Sequence, residues 1–186
     1  MYRYVGDISK IAHNIVLNYL DSFDVAIDAT LGNGHDTDFL VNHFGVVYSF
    51  DIQKIACQNY SNKNISNVNV INDSHENFKL YIDKPVDLIM YNLGFLPGAN
   101  KDITTNHLST IKSIKSGLEI LNNGGFIAIC VYPGHNEGKI ESSCISDLIE
   151  TLPKNEFGVM VHKFANRSSS APYLVIIEKN HANMKE

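Results

Sequence analysis

The fold is decided by a stretch near the N-terminus, Val25-Ala26-Ile27-Asp28-Ala29-Thr30-Leu31-Gly32-Asn33-Gly34. Its apolar start predicts a short buried strand, and its two glycines predict a sharp turn that leads into a helix. Such a turn brings backbone N–H groups and a helix N-terminus close to a ligand. The spacing departs from the dinucleotide pattern Gly-x-Gly-x-x-Gly, because Thr37 holds the position of the last glycine. The turn by itself is therefore equally compatible with a purely structural role.

Helices and strands alternate on both sides of this turn. Apolar spacing predicts helices at about residues 8–20, 35–43, 52–62, 104–121 and 137–152. Strands are predicted at about residues 25–27, 46–50, 68–71, 86–91, 126–131, 157–164 and 173–178. This order predicts an α/β fold with a seven-stranded, mostly parallel sheet and helices on both faces. The last two strands are joined by a short loop without a helix, so we expect the last strand to be antiparallel.

Length, composition and charge narrow the class of protein. The chain has 186 residues, of which 44% are apolar, and this predicts one domain over residues 1–186 with a frayed tail at 180–186. No apolar stretch approaches the roughly 20 residues of a membrane span, and the N-terminus lacks a signal core, so we expect a cytoplasmic protein without a membrane partner. The net charge of −5 argues against broad, nonspecific binding of nucleic acid but leaves room for a local basic patch.

The cysteines and histidines suggest no metal site. The three cysteines include no Cys-x-x-Cys pair, and we expect them to be reduced. Four histidines have no spacing that suits zinc, and we interpret them as surface or core residues: His13, His43, His107 and His162.

Acidic residues end two of the predicted strands. Asp51 follows the second strand, about 20 residues after the glycine turn, where a carboxylate can accept both hydroxyls of a ribose. Asp73 follows the third strand, where it could meet the amino group of an adenine. Ligands of an open parallel sheet bind beyond the carboxyl ends of its strands, so these loops form one candidate site. Each acid could instead cap a helix, and Asn92, after the fourth strand, could be a simple turn residue.

Three motifs together resemble one bacterial family. They are Asp28-Ala29-Thr30-Leu31-Gly32-Asn33-Gly34-His35-Asp36, Asn92-Leu93-Gly94-Phe95-Leu96-Pro97-Gly98 and Tyr132-Pro133-Gly134-His135-x-Glu137-Gly138. The family is named "putative rRNA methylase" and includes methyltransferases of the 5-(aminomethyl)-2-thiouridine of tRNA. The resemblance covers essentially the whole chain. It implies a Rossmann-like class I methyltransferase fold, S-adenosylmethionine as methyl donor, and the anticodon stem-loop of a tRNA, methylated at the aminomethyl nitrogen of its wobble uridine.

The strand-end loops and the resemblance together suggest candidate residues for cofactor binding, catalysis and substrate contact. The cofactor candidates are Asp28, Gly32, Asn33, Gly34, His35, Asp36, Asp51, Gln53, Asp73, Ser74, His75 and Asn92. The catalytic candidates, which would accept hydrogen bonds from the attacking amine, are Asn92, Tyr132 and His135. The candidates for substrate contact are Phe95, Leu96, Pro97, Gly98, Lys101, Tyr132, His135 and Arg167. For the two aromatic residues among them, core packing is an alternative.

Three other functions remain compatible with these residues. The first is a methyltransferase of ribosomal RNA or of a small molecule, which would share every cofactor residue. The second is a nicotinamide-dependent oxidoreductase, against which the imperfect glycine pattern and the third-strand acid both count. The third is a noncatalytic RNA-binding protein that has lost the cofactor. A homodimer is compatible with the sequence but not required by it.

Overall fold

A computed structural model describes residues 2, 4–94 and 105–181, and its elements follow the predicted order. The strands are β1 Val25–Asp28, β2 Val46–Phe50, β3 Val68–Ile71, β4 Val86–Asn92, β5 Leu121–Val131, β6 Phe157–His162 and β7 Tyr173–Lys179. The helices are α1 Ile8–Tyr19, α2 His35–Val41, α3 Lys54–Ser61, α4 His107–Ile120 and α5 Asn136–Glu150, with a 3-10 helix at His75–Leu80. Most of the tail predicted to fray, 182–186, lies outside the described residues.

The seven strands form one sheet in the order β3-β2-β1-β4-β5-β7-β6. The five strands from β3 to β5 pair in parallel, whereas β7 runs antiparallel to both β5 and β6. The predicted α/β sheet with an antiparallel last strand is therefore confirmed. The chain starts in the middle of the sheet, builds outward to β3, and then crosses to β4 on the other side of β1. Strand order thus reverses between β1 and β4, which is where such sheets bind ligands.

Both faces of the sheet are apolar and covered, because successive strand residues point to opposite sides. One face buries Ile27 and Ile89 against Ile114 of α4 and Ile145 of α5. The other face buries its strand residues against α1 and α2, whose contributions are Ile8, Ile11, Ala12, Val16 and Leu40. The predicted covering of both faces by helices is confirmed.

The fifth strand starts earlier than its sequence predicts. The sequence predicts that a helix ends near residue 121 and that a turn follows before the strand begins at 126. In the structure β5 already begins at Leu121, which pairs with Val86 before a register shift. Gly124 takes a left-handed φ of 75°, so the segment bends while remaining in the sheet. The buried Asp87 holds it there, since its Oδ1 accepts a 2.7 Å hydrogen bond from the Asn122 amide. A contact between distant residues therefore overrides the local turn signal.

The Asp28 carboxylate is completely buried below the glycine turn. Its Oδ1 accepts from the Thr30 backbone N–H at 3.0 Å, and its Oδ2 accepts from the Thr37 hydroxyl at 2.5 Å. The same hydroxyl lies 3.0 Å from that of Ser49 on β2. Burial, assisted by the nearby charge of Asp36, raises the pKa of Asp28 to about 7. Asp28 thus ties the end of β1 to both the turn and α2.

The raised pKa of Asp28 predicts a pH-dependent stability. The folded protein binds this proton more tightly than the unfolded chain, so the free energy of unfolding falls as pH rises from about 4 to about 7. Asp28→Asn has no charge to bury; its amide oxygen can still accept from the Thr30 N–H, and its amide nitrogen can donate to the Thr37 hydroxyl. Between about pH 4.5 and 7.5 we expect the wild type to lose stability relative to this variant, by an amount on the order of 2–4 kcal/mol in urea unfolding. Asp83→Asn, at an exposed site, is the control, and parallel curves for Asp28→Asn and the wild type would contradict the account.

Candidate active site

A cavity of about 820 Å³ opens at the carboxyl ends of the parallel strands, where strand order reverses. This volume is in the range of sites for small ligands. The predicted residues that line it are Gly32, Asn33, His35, Asp36, Asp51, Gln53, Asp73, Ser74, His75, Asn92, Tyr132 and His135. The three quoted motifs therefore meet around one cavity, although they are far apart in sequence.

Two cofactor candidates do not line this cavity, namely Asp28 and Gly34. Asp28 is buried beneath the turn, as described above, so it shapes the site from below. Gly34 has a left-handed φ of 81°, and a Cβ there would lie 2.3 Å from the ring of Tyr60 on α3. A side chain at position 34 would therefore be strained and would clash. Each residue is needed for the path of the backbone, and whether either contacts a cofactor stays a prediction.

The Asp51 carboxylate is fixed at the cavity wall by two backbone hydrogen bonds. Its Oδ2 accepts from the Gly32 N–H at 2.9 Å, and its Oδ1 accepts from the Gln53 N–H at 2.8 Å. An ionised carboxylate has about four acceptor positions, so further acceptor capacity remains after these two bonds. Asp51 thus joins the turn after β1 to the loop after β2 and can still accept hydrogen bonds from a ligand.

A second acid, Asp73, lies on the same wall. Its Oδ1 accepts from the Ser74 N–H at 2.7 Å and from the Asn77 amide at 3.1 Å. Its Oδ2 accepts from the Tyr81 hydroxyl at 2.8 Å, and this hydrogen bond holds the pKa of Asp73 below its usual range. The side chain is therefore an anchored anion at neutral pH.

His75 contributes a neutral imidazole to the wall. The residue is 8% exposed, and burial lowers the pKa of its ring to about 4. The ring meets Tyr91 edge-on, with 5.8 Å between centroids. Its Nδ1 is buried and has no hydrogen-bond partner among the described residues. Since buried polar atoms are nearly always paired in native proteins, this nitrogen fits a wall completed by a bound ligand.

Asn92 is held at the end of β4 with a defined amide orientation. Its backbone N–H donates to the Thr30 hydroxyl at 2.7 Å. Its side-chain Nδ2 donates to Asp36 Oδ2 at 3.2 Å and to Ser9 Oγ at 3.3 Å. Both hydrogens of the amide nitrogen are thereby used, and none of the described residues donates to the side-chain carbonyl oxygen. Asn92 can therefore accept a hydrogen bond from a group in the cavity.

Helix α1 supplies two residues that the sequence did not reveal. Ser9 contacts Asn92, and His13 Nε2 lies 2.7 Å from Asp36 Oδ1. The interpretation of His13 as an ordinary surface or core histidine misses this pairing. The available signal was the four-residue spacing of Ser9 and His13, which places both on one face of a helix. Nothing in that spacing indicates that the face lies next to the first loop.

Tyr132 and His135 lie beside the end of β4. A Cβ at Gly94 would lie 3.9 Å from the Tyr132 Cβ and 4.0 Å from His135 Nε2. Burial raises the pKa of the Tyr132 hydroxyl, so it stays protonated at neutral pH. His135 Nδ1 caps α5 by accepting from the Gly138 N–H at 3.0 Å, which leaves the hydrogen of a neutral ring on Nε2. Because Nε2 then donates, the geometry corrects the expectation that His135 accepts a hydrogen bond from an amine.

Of the six remaining substrate candidates, the structure describes only Arg167. Phe95, Leu96, Pro97, Gly98 and Lys101 lie outside the described residues. Arg167 is exposed, and its guanidinium lies over the Phe164 ring, 3.7 Å from the centroid. Whether these six contact a substrate stays a prediction.

Gly94 and Thr105, two cavity-lining residues, are hydrogen-bonded to each other. The Thr105 N–H donates to the Gly94 carbonyl at 3.0 Å, and the Gly94 N–H donates to the Thr105 hydroxyl at 2.9 Å. That hydroxyl in turn donates to the buried Glu141 of α5 at 3.0 Å. Thr105 is therefore anchored to α5.

Residues 2, 4–94 and 105–181 contain neither a candidate metal site nor a membrane-spanning helix. No three potential ligands among histidine, cysteine, aspartate and glutamate cluster there in a way that could hold a metal ion. No helix in this part of the chain is both long enough and apolar enough to cross a membrane.

Comparison with known proteins gives a consistent family. The family model "Putative rRNA methylase" matches residues 47–178. The chloroplastic tRNA (mnm(5)s(2)U34)-methyltransferase of Arabidopsis thaliana is 31% identical, over 92% of this chain and 69% of that protein. A crystal structure from Clostridium thermocellum, described as a "putative rRNA-methylase", is 32% identical with a TM-score of 0.88, covering 95% of this chain and 100% of that one.

A related structure identifies the cofactor. A "putative methyltransferase" from Streptococcus mutans, solved in complex with S-adenosylhomocysteine, is 34% identical with a TM-score of 0.84, over 94% of this chain and 99% of that one. S-adenosylhomocysteine is what remains of S-adenosylmethionine after methyl transfer, so the oxidoreductase alternative is set aside. The fold is that of class I methyltransferases, as the resemblance implied. The chain belongs to the family described as "Putative rRNA methylase", and it is an enzyme that transfers methyl groups from S-adenosylmethionine.

Proposed function

We propose that this enzyme methylates the aminomethyl nitrogen of 5-aminomethyl-2-thiouridine at the wobble position of a tRNA anticodon. The observation that carries the proposal is the fixed Asn92 amide, whose carbonyl oxygen can accept a hydrogen bond from an amine in the cavity. The Arabidopsis relative, whose name specifies a wobble uridine of tRNA, supports the same substrate. A tRNA substrate also fits the expected cytoplasmic location, which stays a prediction, as does a homodimer.

The cavity wall favours an amine over a ring carbon as methyl acceptor. Methylation of a ring carbon is commonly assisted by a cysteine nucleophile. No cysteine occurs among the described residues that line the cavity. A neutral amine already has a lone pair and needs chiefly to be aligned with the methyl group. Asn92 can align it by accepting a hydrogen bond.

We assign the cofactor to the wall formed by the first three loops. The chemistry it supplies when bound is an electrophilic methyl group on a sulfonium sulfur. Asp51 is placed to accept hydrogen bonds from two ribose hydroxyls, since backbone N–H groups hold both of its oxygens in position. Asp73 and His75 suit the adenine end, where the unpaired Nδ1 of His75 offers a further polar contact. Gly32, Asn33, His35 and Asp36 would border the amino-acid end, with Gln53 and Ser74 completing the wall.

In this mechanism the protein acts by positioning. The amine enters without its ammonium proton and donates an N–H to Asn92 Oδ1, which aims the nitrogen lone pair along the line of transfer. A new N–C bond forms as the S–C bond breaks, and the nitrogen then releases one proton to solvent. Tyr132, protonated and beside Gly94, can donate a hydrogen bond to the incoming uridine. No step needs a strong base.

The role of Asn92 can be tested by substitution. We expect Asn92→Ala to lower kcat by about 100-fold, because the amine loses its aligning contact, while the affinity for S-adenosylhomocysteine changes less than about threefold. Turnover measured with tRNA that carries 5-aminomethyl-2-thiouridine but not its methyl group, and calorimetric titration of S-adenosylhomocysteine, give the two values. Asn18→Ala, on the exposed side of α1, is the matched control. A kcat equal to that of the wild type would remove Asn92 from the mechanism.

The substrate can be identified directly. Total RNA from cells that lack this protein is incubated with the enzyme and labelled S-adenosylmethionine, and the digested nucleosides are analysed by mass spectrometry. We expect the label in 5-methylaminomethyl-2-thiouridine. Label in a nucleoside of ribosomal RNA would reject the tRNA proposal and favour the rRNA alternative, and unlabelled RNA would point to a small molecule.

A further inference from the structure

Two polar side chains of helix α1 contact residues that line the cavity. Ser9 and His13 lie one turn apart, so they share a face, and each contacts a residue that lines the cavity. The neighbouring face of α1 is anchored in the core by four buried apolar residues, Ile8, Ile11, Ala12 and Val16. The position of the two polar groups relative to the sheet is therefore set by core packing.

Asp36 connects this helix to Asn92. Its carboxylate belongs to a residue only 5% exposed, and each of its oxygens has one partner. Oδ1 lies 2.7 Å from His13 Nε2, and Oδ2 accepts from Asn92 Nδ2 at 3.2 Å. A buried carboxylate that lost one of these partners would be costly to keep in place. The contact with His13 thus helps to hold the Asp36 carboxylate in the position where it binds the Asn92 amide.

The direction of the Asn92 amide follows from this contact. An ionised carboxylate can only accept hydrogen bonds, so Asp36 selects the amide nitrogen of Asn92 and turns the carbonyl oxygen away from itself. Rotation of the amide by a half-turn would place two oxygens against each other and present N–H groups to the incoming amine. Two donors would then face each other at the point of transfer.

The ring of His13 is itself fixed. It stacks flat on Phe39 of α2, with 3.9 Å between centroids and 4° between planes. His43 lies against the same phenylalanine, 4.7 Å away, and its Nδ1 contacts the Phe39 carbonyl instead of Asp36. The protein thus contains two histidines with similar aromatic packing, of which one touches the Asp36 carboxylate.

We propose that His13 is a positioning residue for methyl transfer: through Asp36 it fixes the Asn92 amide with its oxygen toward the attacking amine. The inference rests on the proposed function, since it is an amine substrate that needs an acceptor at this point. It makes α1 a part of the catalytic apparatus. His13 does not touch the reacting atoms, so its effect is on kcat and not on binding of either substrate.

The test compares three variants by kcat, by KM for tRNA and by affinity for S-adenosylhomocysteine. We expect His13→Ala to lower kcat by about 10-fold to 100-fold, with KM and cofactor affinity within about threefold of wild type. His13→Gln, whose amide can donate to Asp36, should recover most of the loss. His43→Ala, the matched control, should behave as wild type, and circular dichroism verifies that each variant is folded.

A double-mutant cycle tests whether His13 acts through Asn92. If it does, adding His13→Ala to Asn92→Ala should lower kcat by less than about twofold, because the orientation being held no longer exists. An additive effect, a wild-type kcat in folded His13→Ala, a loss in His13→Gln as large as that in His13→Ala, or a loss confined to cofactor affinity would overturn the inference while wild-type turnover on tRNA stands. Absence of methyl transfer by the wild type would overturn the proposed function and this inference together.

Discussion

The Asp51 carboxylate and its two backbone hydrogen bonds are the constraint on which the rest of the site depends. One bond holds the Gly32 N–H of the turn after β1, and the other holds the Gln53 N–H of the loop after β2. The turn sets where α2 begins, and the first turn of α2 carries Asp36, which lines the cavity. One acid at a strand end therefore fixes two neighbouring loops, and through them the distance between the proposed cofactor wall and Asn92.

Buried carboxylates fulfil the same kind of task elsewhere in the protein. Asp87 accepts from the Asp24 and Val25 N–H groups at the start of β1 and from Asn122 at the start of β5. Glu141 accepts from the hydroxyls of Thr105 and Thr110, near the N-terminus of α4. Burying a charged group is costly unless its hydrogen bonds are satisfied, so each acid restricts the backbone to arrangements that satisfy it. The apolar sheet supplies stability, Asp87 fixes the starts of β1 and β5, and Glu141 holds Thr105 beside the cavity.

The sequence predicts the order of helices and strands along the chain, and the acids at strand ends, because both follow local rules of spacing and turn chemistry. It misses the Ser9 and His13 contacts because they depend on the orientation of α1 against the sheet, which no local pattern encodes. It does not reveal the burial of Asp28 for a related reason, since a polar residue at a strand end looks available to a ligand until Thr37 and Ser49 close over it. The sequence also predicts His135 as an acceptor for the amine, and only the structure shows that the Gly138 contact leaves the hydrogen of a neutral ring on Nε2.

The most direct test of this account is a calorimetric titration of S-adenosylhomocysteine into the wild type, Asp51→Ala and Asp83→Ala. The account predicts one binding site in the wild type, the same affinity for Asp83→Ala, whose exposed acid lies away from the cavity, and at least about tenfold weaker binding for a folded Asp51→Ala. Wild-type affinity in folded Asp51→Ala would contradict the central place given to this carboxylate.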